Sequence, residues 1–252
     1  MKISDLSSKN DRALEFFRLL KRCCSNRGWR TSTVGYIERY PFVKIVVNPD
    51  KEPTLLITSG IHGNEPCAPL GIIDWLMNGT VPTDLRIIII PMINPTGFDL
   101  DQRKNDDGKD LNRQFNNGKP PTEELVLLKA ALKHEQIDLL LSLHEDQGHD
   151  GIYLYYADVE EDSCRSMLKT LSSKIKVCES DKIYGDINDD GLIYISLKNK
   201  DPKHAYSLEN AIQSLGIAQL TFETPTDAEA KERVTTHRKA IEFVIDHFNE
   251  LL

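Results

Sequence analysis

The sequence predicts an α/β fold: a single α/β/α sandwich over residues 1–252, with helices on both faces of a mixed, mostly parallel sheet. Three observations carry this expectation. The run LLITSG (55–60), the helical stretch APLGIIDWLM and the unbroken apolar run RIIIIPMIN (86–94) make a strand–helix–strand unit, and a strand apolar at every position is one buried on both faces. Two further apolar runs, IDLLLSLH (137–144) and AQLTFET (218–224), follow helical stretches. A chain of 252 residues, 40% hydrophobic, is long enough for one substantial core and short enough to need no second.

Taken in order, Ala13, Leu14, Phe17 and Leu20 recur at helical spacing and predict an amphipathic helix over 10–24, with Ser8 or Asn10 as its N-cap. Thr33–Asn48 holds GYIERY and FVKIVV, split by Pro41, and reads as two strands joined by a tight connection. After the strand–helix–strand unit comes a polar segment, 95–121, too long to be a mere connector. A helix over 122–134, strands over 137–144 and 151–157 and a helix over 160–175 follow. Residues 180–202, rich in Asp, Asn, Gly and Lys, read as a mobile loop region, and a helix near 204–215 precedes the strand at 218–224. From Ala228 onward Val234, Ile241, Val244, Ile245, Phe248 and Leu251 mark one face of a long last helix.

Composition narrows the function classes. A net charge of -8 offers no basic surface to a nucleic-acid backbone, so small-molecule or peptide chemistry is the better expectation. Cys23, Cys24, Cys67, Cys164 and Cys178 are odd in number and lack CxxC spacing, which reads as reduced thiols. No stretch is apolar enough for a signal peptide or a membrane span, and the expected setting is the cytoplasm.

The chemistry-bearing residues cluster at strand ends. SGIHGNEP follows a buried strand, where open α/β sheets place ligands, and offers His62 and Glu65 three positions apart. His144 closes the apolar run LLLSLH, so two strand ends can bring these side chains together. Two histidines and one carboxylate, with the fourth position left to water, is the ligand set of a catalytic zinc site. Glu223 closes the strand in TFETP, where a carboxylate is costly unless used or paired, and beside a metal-bound water it can serve as a base.

The polar segment reads NPTGFDLDQRKNDDGKDLNRQF. With HxxE before it and the His and Glu after it, the order HxxE, NPxG, RKNxxGxDLNRxF, His, Glu resembles the zinc carboxypeptidase family, which includes carboxypeptidase A and the bacterial murein-peptide carboxypeptidases, over the stretch from His62 to Glu223. The resemblance implies the fold of that family and one zinc per chain held by His62, Glu65 and His144, with Glu223 as general base. It further implies that Arg103 polarises the scissile carbonyl, that Asn112 and Arg113 grip the substrate's free carboxylate, and that Asp110 orients a ligand histidine, His62 being the first choice.

The family also closes a loop tyrosine over its substrate. Tyr184, Tyr194 and Tyr206 all lie in the eligible stretch, and Tyr206 and Tyr194 are the residues selected here. The substrate is then a peptide cleaved at its C-terminal amide bond. The alternative is an N-acyl amino acid, because the succinylglutamate desuccinylase and aspartoacylase branch shares the HGNE and DLNR motifs. His237 falls on the apolar face of the last helix and reads as a packed, hydrogen-bonded core histidine. His134, His149, His204 and His247 read as surface or local contacts, and Asp186, Asp189 and Asp190 as a solvated loop.

Overall fold

The computed structural model describes residues 11–196 and 205–252. Ser8, Asn10 and His204 lie outside the described residues. The first helix, α1 (Arg12–Asn26), is followed by an antiparallel hairpin, β1 (Arg30–Ile37) and β2 (Tyr40–Val47). The strand–helix–strand unit comes next as β3 (Thr54–Ser59), α2 (Cys67–Asn78) and β4 (Arg86–Ile90). The polar segment holds α3 (Pro95–Leu100) and a 3-10 turn (Leu111–Arg113), then come α4 (Glu123–Leu132), β5 (Leu139–Asp146), β6 (Tyr153–Ala157) and α5 (Glu161–Leu171). A small hairpin, β7 (Lys182–Ile183) with β8 (Asp186–Ile187), precedes β9 (Leu192–Tyr194), α6 (Leu208–Gln213), β10 (Ala218–Pro225), α7 (Ala230–Asp246) and α8 (Phe248–Leu251).

Eight strands form one sheet in the order β1-β2-β4-β3-β5-β10-β6-β9. The central strands β4, β3, β5 and β10 run parallel, while β1, β2 and β6 join antiparallel. Side chains alternate between the faces as the pleat requires. Leu55, Ile57, Leu139, Leu141 and Leu143 pack into the cluster with α1, α2, α5 and α7, whereas Leu56, Ile88, Ile90 and Leu140 pack with Leu125, Leu128, Leu208 and Ile212 of α4 and α6. The α/β/α sandwich expected from the sequence is therefore present, with its sheet mixed and mostly parallel.

Helices α2 and α7 press closely on the larger face: a Cβ on Gly71 would stand 2.3 Å from the Cβ of His237, so only glycine admits this approach. His237 is fully buried there, hydrogen-bonded through Nε2 to Thr224 Oγ1 at 3.0 Å. Among the described residues no helix is long and apolar enough to cross a membrane. All five cysteines are buried and unpaired.

Two expectations need correction. Pro41 does not split the hairpin; the turn falls at Glu38 and Arg39, with Glu38 at φ 50, and Pro41 sits within β2 opposite Tyr36. Its missing N–H is tolerated because β4 pairs with β2 only from Ile45 onward. The stretch 180–196 is not all loop, since it holds the β7–β8 hairpin and the edge strand β9, elements too short to leave a periodic signal.

Candidate active site

Parallel pairing sets the site. β3 and β5 run in register, Ser59 opposite Leu143, and β10 lies beside β5 with Glu223 opposite His144, so three strand ends deliver functional groups to one edge. After β3 the chain turns through His62-Gly63-Asn64-Glu65 into α2. A Cβ on Gly63 would fall 1.9 Å from the carbonyl carbon of Gly97 in α3, so this loop lies flat on α3's backbone and has no room to shift. Asn94 caps α3, its Oδ1 accepting from Gly97 N at 2.9 Å, and its own N–H donates to Gly60 O at 2.8 Å, tying the two loops together.

His62, Glu65 and His144 are all buried, and a ligand atom from each lies within 4.8 Å of the others. His62 Nδ1 is 2.6 Å from Glu65 Oε1, and His144 Nδ1 is 3.0 Å from Glu65 Oε2. Both rings therefore aim the same nitrogen at the carboxylate. Their Nε2 atoms face other acids: His62 Nε2 lies 3.3 Å from Asp110 Oδ1, and His144 Nε2 lies 3.2 Å from Glu209 Oε1 and 3.1 Å from Ser142 Oγ. Each imidazole is thus backed by a carboxylate on the side away from the cluster, the outer arrangement that fixes ring orientation in metal sites.

The polar segment supplies the cations. Arg103 donates from Nε to Asp110 Oδ2 at 3.0 Å, and its Nη1 stands 3.6 Å from Glu65 Oε1. Asp110 also caps the 3-10 turn, accepting from Asn112 N at 3.0 Å, which presents Asn112 and Arg113 at the same edge. A cavity of about 470 Å³ opens here, and its wall includes His62, Glu65, Arg103, Asn112, Arg113, His144 and Glu223. The wall continues along β10 through Thr221 and Gln219, with Tyr153 and Tyr155 beside them and Ser207, Glu209 and Asn210 opposite. All the selected groups except Asp110 and two tyrosines thus line one space, and Asp110 stands behind His62.

The structure places the two selected tyrosines away from the cavity. Tyr194 packs its ring on Tyr156 at the sheet edge, centroids 5.5 Å apart, and Tyr206 offers its backbone oxygen to Phe115 N at 3.0 Å; neither ring lines the cavity. Tyr184 does. It sits at the turn of the β7–β8 hairpin, at φ 51, donates its hydroxyl to Asp146 Oδ1 and meets the edge of the His149 ring at 4.9 Å. Asp146 in turn holds His149 Nδ1 at 2.6 Å. No motif distinguishes Tyr184 in the sequence, because its placement depends on a two-residue hairpin and on an acid 38 positions away. Glu209 and Ser142 were also missed; Ser142 carries a trace in the pattern, being two residues before His144 and so on the same face of β5.

Residues 51–182, more than half of the chain, match the succinylglutamate desuccinylase/aspartoacylase catalytic domain. The chain belongs to this family. The matched stretch takes in His62, Glu65, the segment from Arg103 to Arg113, and His144. Among solved structures, a candidate metallopeptidase from Shewanella denitrificans OS217 is 25% identical with a TM-score of 0.80, over 93% of this chain and 90% of that one. Murein-tripeptide amidase from Escherichia coli O157 shares the fold at 18% identity and a TM-score of 0.63, over 85% of this chain and 91% of that one. So does a metallo-carboxypeptidase from Pseudomonas aeruginosa, in complex with (2-guanidinoethylmercapto)succinic acid, at 16% identity and 0.65, over 93% of this chain and 68% of that one. Comparison with curated protein sequences yields no match. The chain is a hydrolase of the desuccinylase/aspartoacylase family with the zinc carboxypeptidase fold.

The electrostatics of this family member's site fit a cation. Burial raises Glu223 well above the usual carboxylate range; His144 opposes this, and Glu65, Asp146 and Glu209 add to it. Its Oε2 is shut off from solvent with no hydrogen-bond partner, an orphan oxygen at the edge of the His62–Glu65–His144 cluster. Burial also opposes ionisation of Asp110, yet His62 and Arg103 outweigh it and hold that carboxyl well below its ordinary value. Two imidazoles and a carboxylate converging on one point, among surplus acids, are the donors a borderline divalent metal such as zinc takes.

Proposed function

We propose that this chain is a zinc-dependent metallocarboxypeptidase that hydrolyses the C-terminal amide bond of a peptide. One observation carries the reading: the His62–Glu65–His144 donors, the orphan Glu223 oxygen and the guanidinium groups of Arg103 and Arg113 meet in a single cavity. One zinc per chain would be held by His62, Glu65 and His144. When bound, it supplies a Lewis acid for the scissile carbonyl and lowers the pKa of a bound water from about 15.7 toward roughly 7.

The protein's own residues do the rest. Glu223 takes the proton of the attacking water and delivers it to the leaving nitrogen. Arg103, held by Asp110, faces the carbonyl oxygen and stabilises the charge that develops on it. Arg113 and the free amide N–H of Asn112 bind the terminal carboxylate, a planar guanidinium being suited to two-pronged pairing. Tyr184 stands at the cavity rim, where it can cover a bound chain end. The cavity continues beyond the metal donors along Thr221 and Gln219, which leaves room for the side chain of the carboxylate-bearing residue in a peptide or an N-acyl amino acid alike. This reading takes the chain as one domain acting in the cytoplasm, which its buried, unpaired cysteines support.

A second reading, an N-acyl amino acid amidohydrolase, is favoured by the family match itself. It uses the same groups and differs only in what lies on the acyl side of the cleaved bond. Metal analysis paired with a hydrolysis screen over free-acid peptides, their C-terminal amides and N-acyl amino acids separates the two. Near one zinc per chain with cleavage of free-acid peptides alone supports the carboxypeptidase. Cleavage confined to N-acyl amino acids moves the protein to the second reading, and protein that takes up no metal sinks both.

A further inference from the structure

Glu209 lies in the first turn of α6, 65 positions from His144, and takes no part in the proposed hydrolysis beyond standing behind that ring. Its carboxylate is buried and is the acceptor for donors from three different places. Ser142 Oγ donates to Oε1 at 2.7 Å, His144 Nε2 lies 3.2 Å from the same oxygen, and Asn112 Nδ2 donates to Oε2 at 3.1 Å. An ionised carboxylate only accepts, so the His144 proton must sit on Nε2. Nδ1, 3.0 Å from Glu65 Oε2, is then the nitrogen that must give up its proton for a metal to bind, and the Nε2–H tautomer so reached is the one in which this ring can be a ligand. Ser142, whose own proton goes to Glu209, presents only lone pairs to His144 Nε2 at 3.1 Å and enforces the same tautomer.

The other oxygen of Glu209 fixes Asn112. Nδ2 of that amide is bound to Glu209, while Oδ1 accepts from Leu208 N at 2.8 Å. Both ends of the side chain are therefore held by α6, and a single N–H is left for the cavity. We propose that Glu209 is a positioning residue shared by two parts of the site, setting the tautomer and aim of His144 and the orientation of Asn112 together. The inference rests on the reading of the cavity as a metal centre with a carboxylate clamp.

Neither glutamine nor aspartate reproduces these contacts. Glutamine has one acceptor oxygen for three donors and would set its own amide N–H against one of them. Aspartate keeps the charge and loses the reach. The test measures zinc affinity of metal-free protein by chelator competition, melting temperature of the metal-free form, and KM and kcat for benzoyl-Gly-Phe or N-acetylated aspartate, whichever the wild type hydrolyses. Glu209→Gln is expected to weaken zinc binding about 10–100-fold and to raise KM in the folded protein, beyond whatever it costs the metal-free melting temperature.

A merely structural role would lower the melting temperature and leave zinc affinity and KM of the folded fraction at wild-type values, which overturns the proposal. Glu209→Asp guards against a Gln variant that does not fold: wild-type zinc affinity and KM in the Asp variant likewise overturn it. If the wild type holds zinc and turns over substrate while both variants match it, only this inference fails. A wild type that holds no zinc removes the functional reading as well.

Discussion

Glu223 and Glu209 are acids of one site with opposite environments. Glu209 accepts three hydrogen bonds, whereas Glu223 has an oxygen with none and is pushed up by burial. A satisfied carboxylate holds geometry, and an unsatisfied one is free to take a proton. Glu223→Gln should therefore cut kcat by on the order of 10³-fold or more while zinc content, read by elemental analysis, stays at the wild-type level. Substantial turnover in that variant would move the base elsewhere. On the proposed reading Arg113 makes the complementary case, as the cation that meets the substrate's free carboxylate. Its removal leaves a buried charge unmet, which costs about 1–3 kcal/mol or more. Arg113→Ala should raise KM for a free-acid peptide about 10–100-fold and erase the preference over the corresponding amide. A preference that survives the substitution would place the clamp on other residues.

Elements whose side chains repeat at a fixed period were legible in the sequence, and those built from two or three residues were not. The apolar runs of β3, β4, β5 and β10 announce themselves because both faces of each are covered, whereas β7, β8 and β9 are too short to show alternation. His237 was also legible, since it falls among Val234, Ile241 and Val244 on the buried face of α7. Burial holds its imidazole neutral, with Arg233 adding to the effect, and pushes its pKa down to about 3. Between that value and the ordinary value near 6.5 the unfolded chain binds a proton that the native state refuses. Stability must therefore fall as pH drops through this window, by up to about 1.4 kcal/mol per pH unit from this group. His237→Phe should lose some stability at pH 7 through the missing Thr224 bond, yet show a shallower decline toward pH 4 in urea denaturation. Equal slopes for the two proteins would assign the acid sensitivity to other groups. The contact of the metal-donor loop with α3 gives a second element-scale expectation. Gly63→Ala sets a methyl group against the backbone of Gly97 and must push His62 or α3 out of place. Zinc affinity measured by chelator competition should fall at least about tenfold, with a lower melting temperature; unchanged values would mean the loop yields.

At the scale of the whole molecule, the sheet order turns residues distant in the chain into one site, and this explains which parts of the site could be read in advance. HxxE, the RKNxxGxDLNR segment and the strand-ending His144 and Glu223 carry local patterns, so they were found. Glu209 meets His144 across α6 and β5, and Tyr184 meets Asp146 across a hairpin and β5; neither pair leaves a spacing in the sequence. The same convergence concentrates Glu65, Asp110, Glu209 and Glu223 around two imidazoles and Arg103, with the donor set at its centre. An ion that binds this native cluster and not the unfolded chain stabilises the fold by mass action, about 2.7 kcal/mol at a hundredfold excess over its dissociation constant. For a chain of this length each kcal/mol is worth roughly 2–4 °C. Chelation followed by removal of the chelator should therefore lower the melting temperature by about 5–10 °C, and added zinc should restore it. Magnesium should restore little, because two imidazole nitrogens suit zinc and not a hard oxygen-seeking ion. His144→Ala should abolish the zinc-dependent part of the shift by removing a donor. A melting temperature indifferent to chelation and to zinc in the wild type would mean that the cluster holds no metal.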